Sequence, residues 1–476
     1  MNRRIRIAVI GGGSIVFSKM LIRDLLAGPV RDVDFVLQAP STRRTALVAT
    51  WAERLIAANG LSARVLVETD QATAIAGSDY VVTAFQVGGL RATELDYEIP
   101  MRYGVDQCIG DTLGPGGVFR GLRVIPVARS VANDIAHLAP HALLLNYVNP
   151  MAMVCWVLGA SDIRAVGLCH GVQVSLDLIA GYTEVPRAEI DFLSAGINHM
   201  AWFLRLEHRG KDVYPLLRER FEEPAYYVND KVRGEVFRHF GYFMTESTGH
   251  LSEYLPWFRK TRAALDTYCD QPMFGGESGA QVAWSRLVAE RYTDADILTE
   301  ADLTLPERSH EYGPRIIEAV ETGVPFAFQG NRINDGAIDN LPADACIEGP
   351  MVADAAGLRA IPVGTLPTPC AALNLTNINV QRLAVEAATR GDPEAIVHAL
   401  ALDPLTAAVL TLRQIRELAT EMLESQRSWL PQFEGSAIRP APVITVPPGI
   451  QRAEVPVDPA LAIARRFDDL LRERPR

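Results

Sequence analysis

The N-terminal segment, an apolar run followed by a cluster of glycines, limits the folds open to this chain more than any other feature. Residues 4–10 read RIRIAVI, a pattern typical of a buried strand, and Gly11-Gly12-Gly13-Ser14 follow directly. Apolar residues at helical spacing then run from Val16 to Leu26. Gly11 and Gly13 would let the backbone approach a pyrophosphate at the N-terminus of that helix. The segment predicts a dinucleotide-binding half, with a tight turn after any edge strand as the alternative.

Two features of the usual dinucleotide fingerprint are missing. Val16 stands where its third glycine would be, and the second predicted strand, residues 33–37, runs into Gln38 instead of an acidic residue. Gln38 could still form a hydrogen bond with a ribose hydroxyl. Because that carboxylate is missing and Arg43 and Arg44 follow nearby, the choice between NAD and NADP stays open.

Strand and helix patterns alternate through the first 190 residues. A helix is predicted over residues 43–58, and the further predicted strands are residues 64–68, 80–85, 142–147 and 164–168. Such alternation is typical of α/β proteins with a Rossmann-like, doubly wound parallel sheet. This half resembles the nucleotide-binding half of lactate and malate dehydrogenases.

The alternation is lost after about residue 190. Helices are predicted over residues 376–389 and 406–424, a proline-rich extended segment over residues 439–459, and a terminal helix over residues 460–474. We therefore predict two domains. Residues 1–190 form the NAD-binding domain, and residues 191–476 form a mixed, helix-rich domain for substrate binding, metal binding and oligomerisation.

Composition excludes several classes of function. The formal net charge of −11 opposes a nucleic-acid partner, since phosphate binding needs clustered lysine and arginine. The sequence contains no uninterrupted apolar stretch of about 18 residues, so no membrane span is predicted. Six scattered cysteines do not suggest a disulfide scaffold, and they favour a cytoplasmic location.

One cysteine and one histidine have the chemistry of metal ligands. Cys169 ends a predicted strand, and the carboxyl ends of parallel strands are where such folds place ligands. A thiolate and the imidazole of His199 could bind a divalent metal, with substrate and water completing an open catalytic site. From spacing alone, a buried structural cysteine and a hydrogen-bonded core histidine are the stronger reading.

Two further segments carry polar side chains beside unusual backbone. Asp111 precedes the glycine-rich run Gly114-Pro115-Gly116-Gly117, so its carboxylate could closely approach a ligand, unless the run is a surface turn. Residues 245–258 collect a histidine, carboxylates, a tyrosine and aromatics, which suit sugar hydroxyls and sugar rings. A packed helix–loop junction is the alternative for this segment.

Nine segments, in order along nearly the whole chain, carry a family resemblance. They are IAVIGGGSIVF (7–17), VVTAFQVGG (81–89), DTLGPGG (111–117), LNYVNPMAM (145–153), GLCHGVQ (167–173), AGINHMAWF (195–203), TESTGHLSEYLPWF (245–258), NDGAIDNLP (334–342) and VGTLP with LTNINVQ (363–381). The chain thereby resembles the NAD- and manganese-dependent family 4 glycoside hydrolases, and within them the α-galactosidase and α-glucosidase branch.

The resemblance implies NAD and Mn²⁺, or another divalent metal, as cofactors, and a redox route to glycoside cleavage. The C3 hydroxyl is oxidised by hydride transfer to NAD, a base removes the C2 proton, and the glycosidic oxygen leaves by elimination with the help of an acid. Water then adds and the hydride returns, so NAD is regenerated in each turnover. The family is an exception to the two-carboxylate rule of glycoside hydrolysis.

The resemblance also implies a role for each matching residue. Cys169 and His199 match the metal ligands, and Asp111 matches the general acid. Tyr254 best matches the tyrosine that acts as base at C2, with Tyr242 as the alternative. The residues implied to hold the sugar are Asn149, His170 and Asn198. The residues implied to line the cofactor are Gly11, Gly13, Ser14, Val87 and Gly88.

The residues after Cys169 bear on the substrate. Relatives that act on sugar phosphates carry Asn or Asp where this chain has His170, which argues against a sugar-6-phosphate. The α-galactosidases and α-glucosidases usually carry Ser at the position of Gly171, and a uronic-acid-cleaving branch resembles this chain in having Gly there. Val172-Gln173 resembles the α-galactosidases more. Galactose, glucose and uronic acid therefore stay open as the sugar.

The expected partner is a small-molecule glycoside, with no nucleic acid and no membrane, and the resemblance implies a homodimer or homotetramer. A lactate- or malate-type dehydrogenase is one alternative; it would accumulate NADH and need no metal. A non-catalytic NAD sensor is another, and the set of Cys169, His199 and Asp111 argues against it because a sensor needs no metal ligands.

Overall fold

The parallel sheet predicted from the N-terminal half is present in the computed structural model, which describes residues 4–291, 303–305, 308–309, 311–456 and 458–465. The strands are β1 Ile5–Ile10, β2 Val33–Gln38, β3 Arg64–Glu68, β4 Tyr80–Thr83, β5 Leu143–Asn146, β6 Arg164–Gly167, β7 Ile190–Ile197, β8 Met200–His208, β9 Lys211–Asp212, β10 Phe326–Ile333, β11 Cys346–Asp354 and β12 Gly357–Ala360.

The first six strands lie in the order β3-β2-β1-β4-β5-β6, and all neighbours among them are parallel. This is the strand order of a dinucleotide-binding sheet. The strands end in register, because Ile10 lies opposite Thr83, Thr83 opposite Asn146, and Asn146 opposite Gly167. Residues that follow these four positions therefore meet along one edge, which we call the carboxyl edge.

The strands β4, β5 and β6 are shorter than predicted at their carboxyl ends. The apolar pattern continued to Phe85, Tyr147 and Leu168, whereas the strands end at Thr83, Asn146 and Gly167. Ile10 is the last residue of β1, and it pairs with Thr83, the last residue of β4. Beyond this pair β4 has no residue of β1 to continue the parallel ladder. Hydropathy alone does not mark this limit, because the apolar residues after it are also packed.

Residues beyond 190 extend the same sheet with antiparallel strands. The order continues β6-β10-β11-β7-β8-β9, with β12 paired to β11. The β6–β10 connection is a single pairing of Gly167 with Asn331, and the β11–β7 connection pairs Glu348 with Gly196. The predicted boundary at residue 190 therefore lies where the sheet changes from parallel to antiparallel, and as a domain boundary it stays a prediction.

Helices form much of the remaining described chain. They are α1 Ile15–Leu26, α2 Thr42–Ala58, α3 Gln71–Ile75, α4 Gly89–Arg102, α5 Gly114–Leu138, α6 Met151–Gly159, α7 Gly171–Thr183, α8 Tyr214–Glu222, α9 Pro224–Tyr227, α10 Lys231–Phe240, α11 Thr248–Tyr254, α12 Arg262–Tyr268, α13 Ala280–Arg291, α14 Tyr312–Thr322, α15 Thr368–Arg390, α16 Pro393–Leu402, α17 Pro404–Val409, α18 Leu412–Gln426 and α19 Pro459–Arg465.

The single helix predicted over residues 406–424 is wrong, because two helices cover it. The chain leaves the helical conformation at Leu410, and Thr411 begins α18 with a capping box. The Thr411 side chain accepts from the Gln414 backbone N–H, and the Gln414 side chain accepts from the Thr411 backbone N–H. The predicted helix over residues 376–389 is confirmed within α15.

Residues 1–439 form one compact unit, and residues 440–476 form a second. In the second unit the described residues from 440 to 456 have no regular secondary structure, as predicted, and α19 follows. The predicted helix over residues 460–474 agrees with α19 as far as Arg465, and its remainder lies outside the described residues. Among the residues that the structure covers, no helix has the length and hydropathy to cross a membrane.

Alternate side chains of β1 enter two different cores. Ile7 and Val9 belong to a cluster with Trp51 of α2, and Ala8 belongs to a cluster with Val124 of α5. Burial of a central strand on both faces is what a doubly wound sheet requires. Because apolar side chains occupy both faces of the sheet, the polar groups needed for function lie at the strand ends.

Candidate active site

Three side chains with metal-ligating atoms meet at the carboxyl edge. Atoms of Cys169, His199 and Glu246 lie within 4.8 Å of one another. Cys169 follows β6, His199 belongs to the turn between β7 and β8, and Glu246 lies two residues before the start of α11. Sulfur, nitrogen and oxygen donors on a partly open site fit a catalytic transition-metal centre with positions left for substrate. The structure therefore joins the predicted pair and adds Glu246.

The local backbone explains how His199 reaches the edge. Asn198-His199 is a two-residue turn, because Ile197 of β7 pairs with Met200 of β8. His199 has a φ of 61°, a left-handed conformation that is uncommon for residues other than glycine. Such conformations concentrate at functional sites, where the surrounding structure imposes them. The hairpin thus holds the His199 imidazole inward, with 5% of the residue exposed.

Glu246 reaches the same point through pairing with β8. The backbone N–H of Thr245 donates to Ala201 O at 3.0 Å, which places the next residue beside the hairpin turn. Glu246 Oε2 then lies 3.4 Å from His199 Nε2. Sequence reasoning grouped Glu246 with its polar segment but did not place it in the metal set, because only tertiary pairing brings the segment to the hairpin.

Burial and charge set the ionisation of the cluster without a cation. Burial, followed by the nearby Glu348 and Glu246 carboxylates, raises the pKa of Cys169 well above its usual value. Burial, followed by His250, lowers the pKa of His199 to about 4. A neutral imidazole is the form that binds metals, and a bound cation would favour the thiolate.

A second buried carboxyl, Glu348 on β11, lies behind the cluster. Burial, and then the charge of Glu246, raises its pKa to about 8. Asn331 of β10 donates to its Oε1 at 3.3 Å. No motif in the sequence pointed to Glu348, since its position in the apolar strand CIEGPMVAD resembles that of a surface residue.

The predicted acid, Asp111, lies in a buried network with two other polar side chains. Asn149 donates to Asp111 Oδ2 at 2.8 Å, and His250 Nε2 lies 3.1 Å from Asp111 Oδ1. Burial alone would raise the pKa of Asp111 and lower that of His250. Their mutual hydrogen bond and charges, together with Arg120 near Asp111 and Glu246 near His250, outweigh burial, so the pKa of Asp111 falls well below its usual value and that of His250 rises to about 10. The proton of this pair therefore resides on His250.

Tyr254, the predicted base, contacts the metal set from the interior. Its hydroxyl lies 3.5 Å from His199 Nδ1, and the residue is only 1% exposed. Burial raises the pKa of Tyr254 well above 10. The alternative, Tyr242, packs edge-to-face on Tyr214 with ring centroids 6.2 Å apart. The geometry thus brings Tyr254 to His199, whereas the Tyr242 ring packs on Tyr214 in the apolar core.

A cleft of about 340 Å³ opens over Cys169, His199, Glu246 and His250, while Asp111 and Tyr254 lie outside its lining. His170 lies at its wall, with its Nε2 in contact with Glu311 at the N-terminus of α14. Asn198, predicted to hold the sugar, is 2% exposed, and its side chain lies beside the Cys169 thiol. The residues that line the cleft are Tyr147, Asn149, Met151, Leu168, Cys169, His170, Gly171, Val174, Ser175, Leu178, His199, Arg233, Thr245, Glu246, Ser247 and His250.

The glycine turn lies at the same edge, after β1. Gly11 has a φ of 90°, and a Cβ there would lie 2.5 Å from Ala84 O. Gly13 precedes Ser14, the residue before α1, whose side chain makes no capping hydrogen bond. The first N–H groups of α1 are therefore available to an anion, as in dinucleotide-binding turns.

The second predicted cofactor segment, Val87-Gly88, follows β4, the strand that pairs with β1. Gly88 is the N-cap of α4, with a φ of 87°, and a Cβ there would lie 2.5 Å from the Ala92 side chain. Val87 O accepts a hydrogen bond from Arg123 Nε at 3.3 Å. Gln38, which we expected to be able to bind a ribose hydroxyl, donates from Nε2 to Thr69 O at 2.9 Å, and its contact with a ribose stays a prediction.

Comparisons with known proteins identify the family of the chain. The model described as Family 4 glycosyl hydrolase matches residues 6–185, and that of the Family 4 glycosyl hydrolase C-terminal domain matches residues 194–406. An α-galactosidase of Rhizobium meliloti is 40% identical over 438 residues, which cover 90% of this chain and 89% of the relative. An α-galactosidase of Bacillus subtilis is 38% identical over 442 residues, with 90% and 100% covered.

A solved structure shares the fold. The 6-phospho-β-glucosidase of Thermotoga maritima, solved with manganese, NAD⁺ and glucose-6-phosphate, is 22% identical and superposes with a TM-score of 0.73 over 89% of this chain and 99% of the other. The two family models together span most of the chain, and two relatives at 38% and 40% identity are covered over most of their length. The chain therefore belongs to family 4 of the glycosyl hydrolases and is a hydrolase.

Proposed function

We propose that this enzyme hydrolyses α-glycosides, α-galactosides first among them, with bound NAD and a divalent metal. The observation that carries the proposal is the convergence of Cys169, His199 and Glu246 within 4.8 Å at the carboxyl edge. A plain dehydrogenase of the lactate type needs no such set. The two α-galactosidase relatives support the choice of sugar.

The donor atoms fit a divalent metal. Cys169 Sγ, a His199 ring nitrogen and a Glu246 carboxylate oxygen are three protein ligands, the number typical of catalytic rather than structural sites. The carboxylate suits Mn²⁺, which prefers oxygen ligands, and the thiolate adds affinity for softer metals. The Thermotoga maritima relative was solved with manganese, which supports Mn²⁺ as the metal.

The glycine turn fits a dinucleotide. A Cβ at Gly11 would collide with Ala84 O, so the turn keeps its close backbone path only with glycine. Ser14 and the N-terminus of α1 would face the pyrophosphate, and Val87-Gly88 would line the other side. The same Thermotoga maritima protein was solved with NAD⁺, which supports NAD as the dinucleotide.

When bound, NAD would accept a hydride from C3 of the sugar, and the metal would polarise the C2 and C3 oxygens so that the C2 proton becomes acidic. The chain's own residues then have three tasks. They must orient the ring, remove the C2 proton and deliver a proton to the departing glycosidic oxygen. This route of oxidation and elimination is part of our proposal.

Asp111 and His250 together would deliver the proton to the leaving group. His250 lines the cleft, and its Nε2 is hydrogen-bonded to Asp111 Oδ1. Asn149 donates to the other Asp111 oxygen, so the carboxylate has both oxygens occupied and a fixed orientation. The pair would therefore hold one proton at the cleft wall, and the pKa directions of both members agree with this.

Tyr254 would act as the base at C2. Its hydroxyl contacts His199 Nδ1, so it lies next to the metal set to which the C2 oxygen would bind. The high pKa of the buried phenol opposes this role in the free enzyme, and a divalent cation beside His199 would lower that pKa. Asn149, Asn198 and His170 would hold the sugar hydroxyls.

The test is hydrolysis of a panel of p-nitrophenyl α- and β-glycosides and uronides, with NAD, Mn²⁺ and a thiol reductant. We expect cleavage of the α-galactoside that disappears when NAD is removed or when a chelator removes the metal. NADH should not accumulate with turnover. The variant Cys169→Ser is the matched negative control.

Three results would contradict the proposal. Hydrolysis undiminished without both NAD and metal would exclude redox chemistry. Stoichiometric NADH release from a hydroxy acid would favour the dehydrogenase alternative. Preferred cleavage of an α-glucuronide or α-galacturonide would move the enzyme to the uronic-acid branch, and preferred cleavage of an α-glucoside would change the sugar alone.

We also expect a cytoplasmic enzyme that assembles as a homodimer or homotetramer. All six cysteines lie within the described residues and none forms a disulfide, which supports a reducing compartment. Cell fractionation tests the location, and light scattering of the purified protein tests the assembly.

A further inference from the structure

The loop that carries Asp111 is irregular and yet buried. It connects α4 to α5, and residues 105–113 are all buried. A buried loop needs partners for its backbone N–H groups, because an unpaired N–H away from water costs free energy. The partners of this loop therefore decide where the Asp111 carboxylate lies.

The partner of the two amides before Asp111 is a single side chain. Glu253 of α11 is 1% exposed, and its Oε1 accepts from Ile109 N at 2.5 Å. Its Oε2 accepts from Gly110 N at 2.9 Å and from Gln107 Nε2 at 3.2 Å. Both carboxylate oxygens are thus used to hold the backbone that leads into Asp111.

The same helix contacts the Asp111 side chain. His250 lies three residues before Glu253, so the two project from one face of α11. His250 holds the Asp111 carboxylate while Glu253 holds the Ile109 and Gly110 amides. One rigid element therefore sets both the backbone and the side chain of the predicted acid.

We propose that Glu253 is a positioning residue that holds Asp111 against His250 for proton delivery to the leaving group. The proposal rests on the proposed function for the role of Asp111. Glu253 does not line the cleft, so it acts through the loop and not on the substrate. Glu253 supports activity by fixing the position of Asp111, since a misplaced acid transfers its proton poorly.

The test variant is Glu253→Gln, which keeps the volume of the side chain. A glutamine has one acceptor oxygen, so one of the two amides would face an NH₂ group and lose its bond. The readout is kcat and KM for two α-galactosides, one with a good leaving group, p-nitrophenyl, and one with a poor leaving group, methyl. Asp111→Asn is the positive reference.

We expect E253Q to lower kcat for the methyl glycoside by about a hundredfold and for the p-nitrophenyl glycoside by much less, because only a poor leaving group needs the acid. KM should change little. The matched control is E394Q. Glu394 is a largely buried carboxylate that accepts from Arg439 N and pairs with Arg416 away from the cleft. An equal loss for both substrates, as in general destabilisation, would overturn the proposal.

Hydrogen exchange gives a second readout that needs no activity. In the unmodified enzyme the amides of Ile109 and Gly110 should exchange slowly, and E253Q should accelerate them. The amide of Gly114, held by Asp403 at 3.1 Å, should stay protected in E253Q and is the internal control. Exchange of Ile109 and Gly110 as fast as exposed loops in the unmodified enzyme would overturn the contact itself.

Two further outcomes are distinguishable. If E253Q does not fold, Glu253→Asp keeps the charge on a shorter side chain and should show the same selective loss, whereas full activity on both substrates would overturn the role. If the unmodified enzyme hydrolyses no glycoside, the proposed function fails and with it the role of Glu253 in catalysis. The exchange rates then still decide whether Glu253 holds the loop.

Discussion

Glu246 Oε2 lies 3.4 Å from His199 Nε2, although the two residues come from different segments, one before α11 and one in the β7–β8 turn. The contact makes Glu246 the third potential ligand of a set that the sequence presented as a pair. Glu246→Gln keeps the shape but removes the negative charge. We expect Mn²⁺ affinity to fall by about tenfold or more, measured by titration calorimetry.

The control for this variant is Glu235→Gln on α10. Glu235 accepts a hydrogen bond from Tyr227 at 2.9 Å and does not line the cleft that contains Glu246. Its variant should bind Mn²⁺ like the unmodified enzyme. Equal affinity in E246Q and E235Q would remove Glu246 from the metal set.

Gly171 is constrained by the same carboxylate. A Cβ at Gly171 would lie 2.7 Å from Thr245 O and 2.8 Å from Glu246 Oε2. Gly171→Ala should therefore displace Glu246 and lower kcat by about tenfold or more, because small misplacements at a catalytic site are costly. The matched control is Gly181→Ala on the same helix, where no atom lies within 4 Å of the added carbon. Full activity of G171A would show that Thr245 and Glu246 can move aside without loss of function.

Removal of the Cys169 thiol should abolish metal binding while the protein still folds. In Cys169→Ser we expect activity to fall by about a hundredfold or more, since even partners of metal ligands cost about 10- to 100-fold when changed. Added Mn²⁺ should raise the Tm of the unmodified enzyme by mass action and leave the Tm of C169S nearly unchanged. The same metal-induced rise in both proteins would place the metal elsewhere.

Substitution of Gly11 by alanine should be harmful for two reasons, and the same substitution at Gly60 tests one of them alone. The φ of 90° at Gly11 disfavours any side chain, and an added Cβ would meet Ala84 O at 2.5 Å. Gly60 shares a positive φ, 62°, and has no atom within 4 Å of an added Cβ. Gly60→Ala should cost about 1 kcal/mol of stability and keep NAD affinity. Gly11→Ala should cost more and weaken NAD binding, measured by fluorescence titration; equal NAD affinity in both variants would contradict a cofactor site at Gly11.

Removal of the Tyr254 hydroxyl tests the base. Tyr254→Phe preserves the buried ring and should lower kcat by about a hundredfold or more. Exchange of the C2 hydrogen of the sugar with D₂O should disappear in Y254F, while the affinity for Mn²⁺ stays normal. Exchange of this hydrogen at the normal rate in Y254F would show that Tyr254 is not the base.

Several features of the fold follow from local sequence alone. Buried strands of four to six residues, glycine turns and the amphipathic helices α1 and α2 are recognisable because their patterns are local and repeat. These patterns predicted the parallel sheet, its carboxyl edge and the residues that follow it, including Gly11 and Cys169. The ordered family motifs added the roles of Asp111 and His199.

The tertiary structure decided which distant side chains share a site. Glu246, His250, Glu253 and Glu348 carried no local signal for their contacts, since each depends on how α11 or β11 packs against the edge. Likewise, only the fold shows that the Gln38 side chain donates to Thr69 O. Local patterns determine strands, turns and helices because their energies involve near neighbours. The distances between catalytic groups depend on packing of segments far apart in the chain, and only the folded protein specifies them.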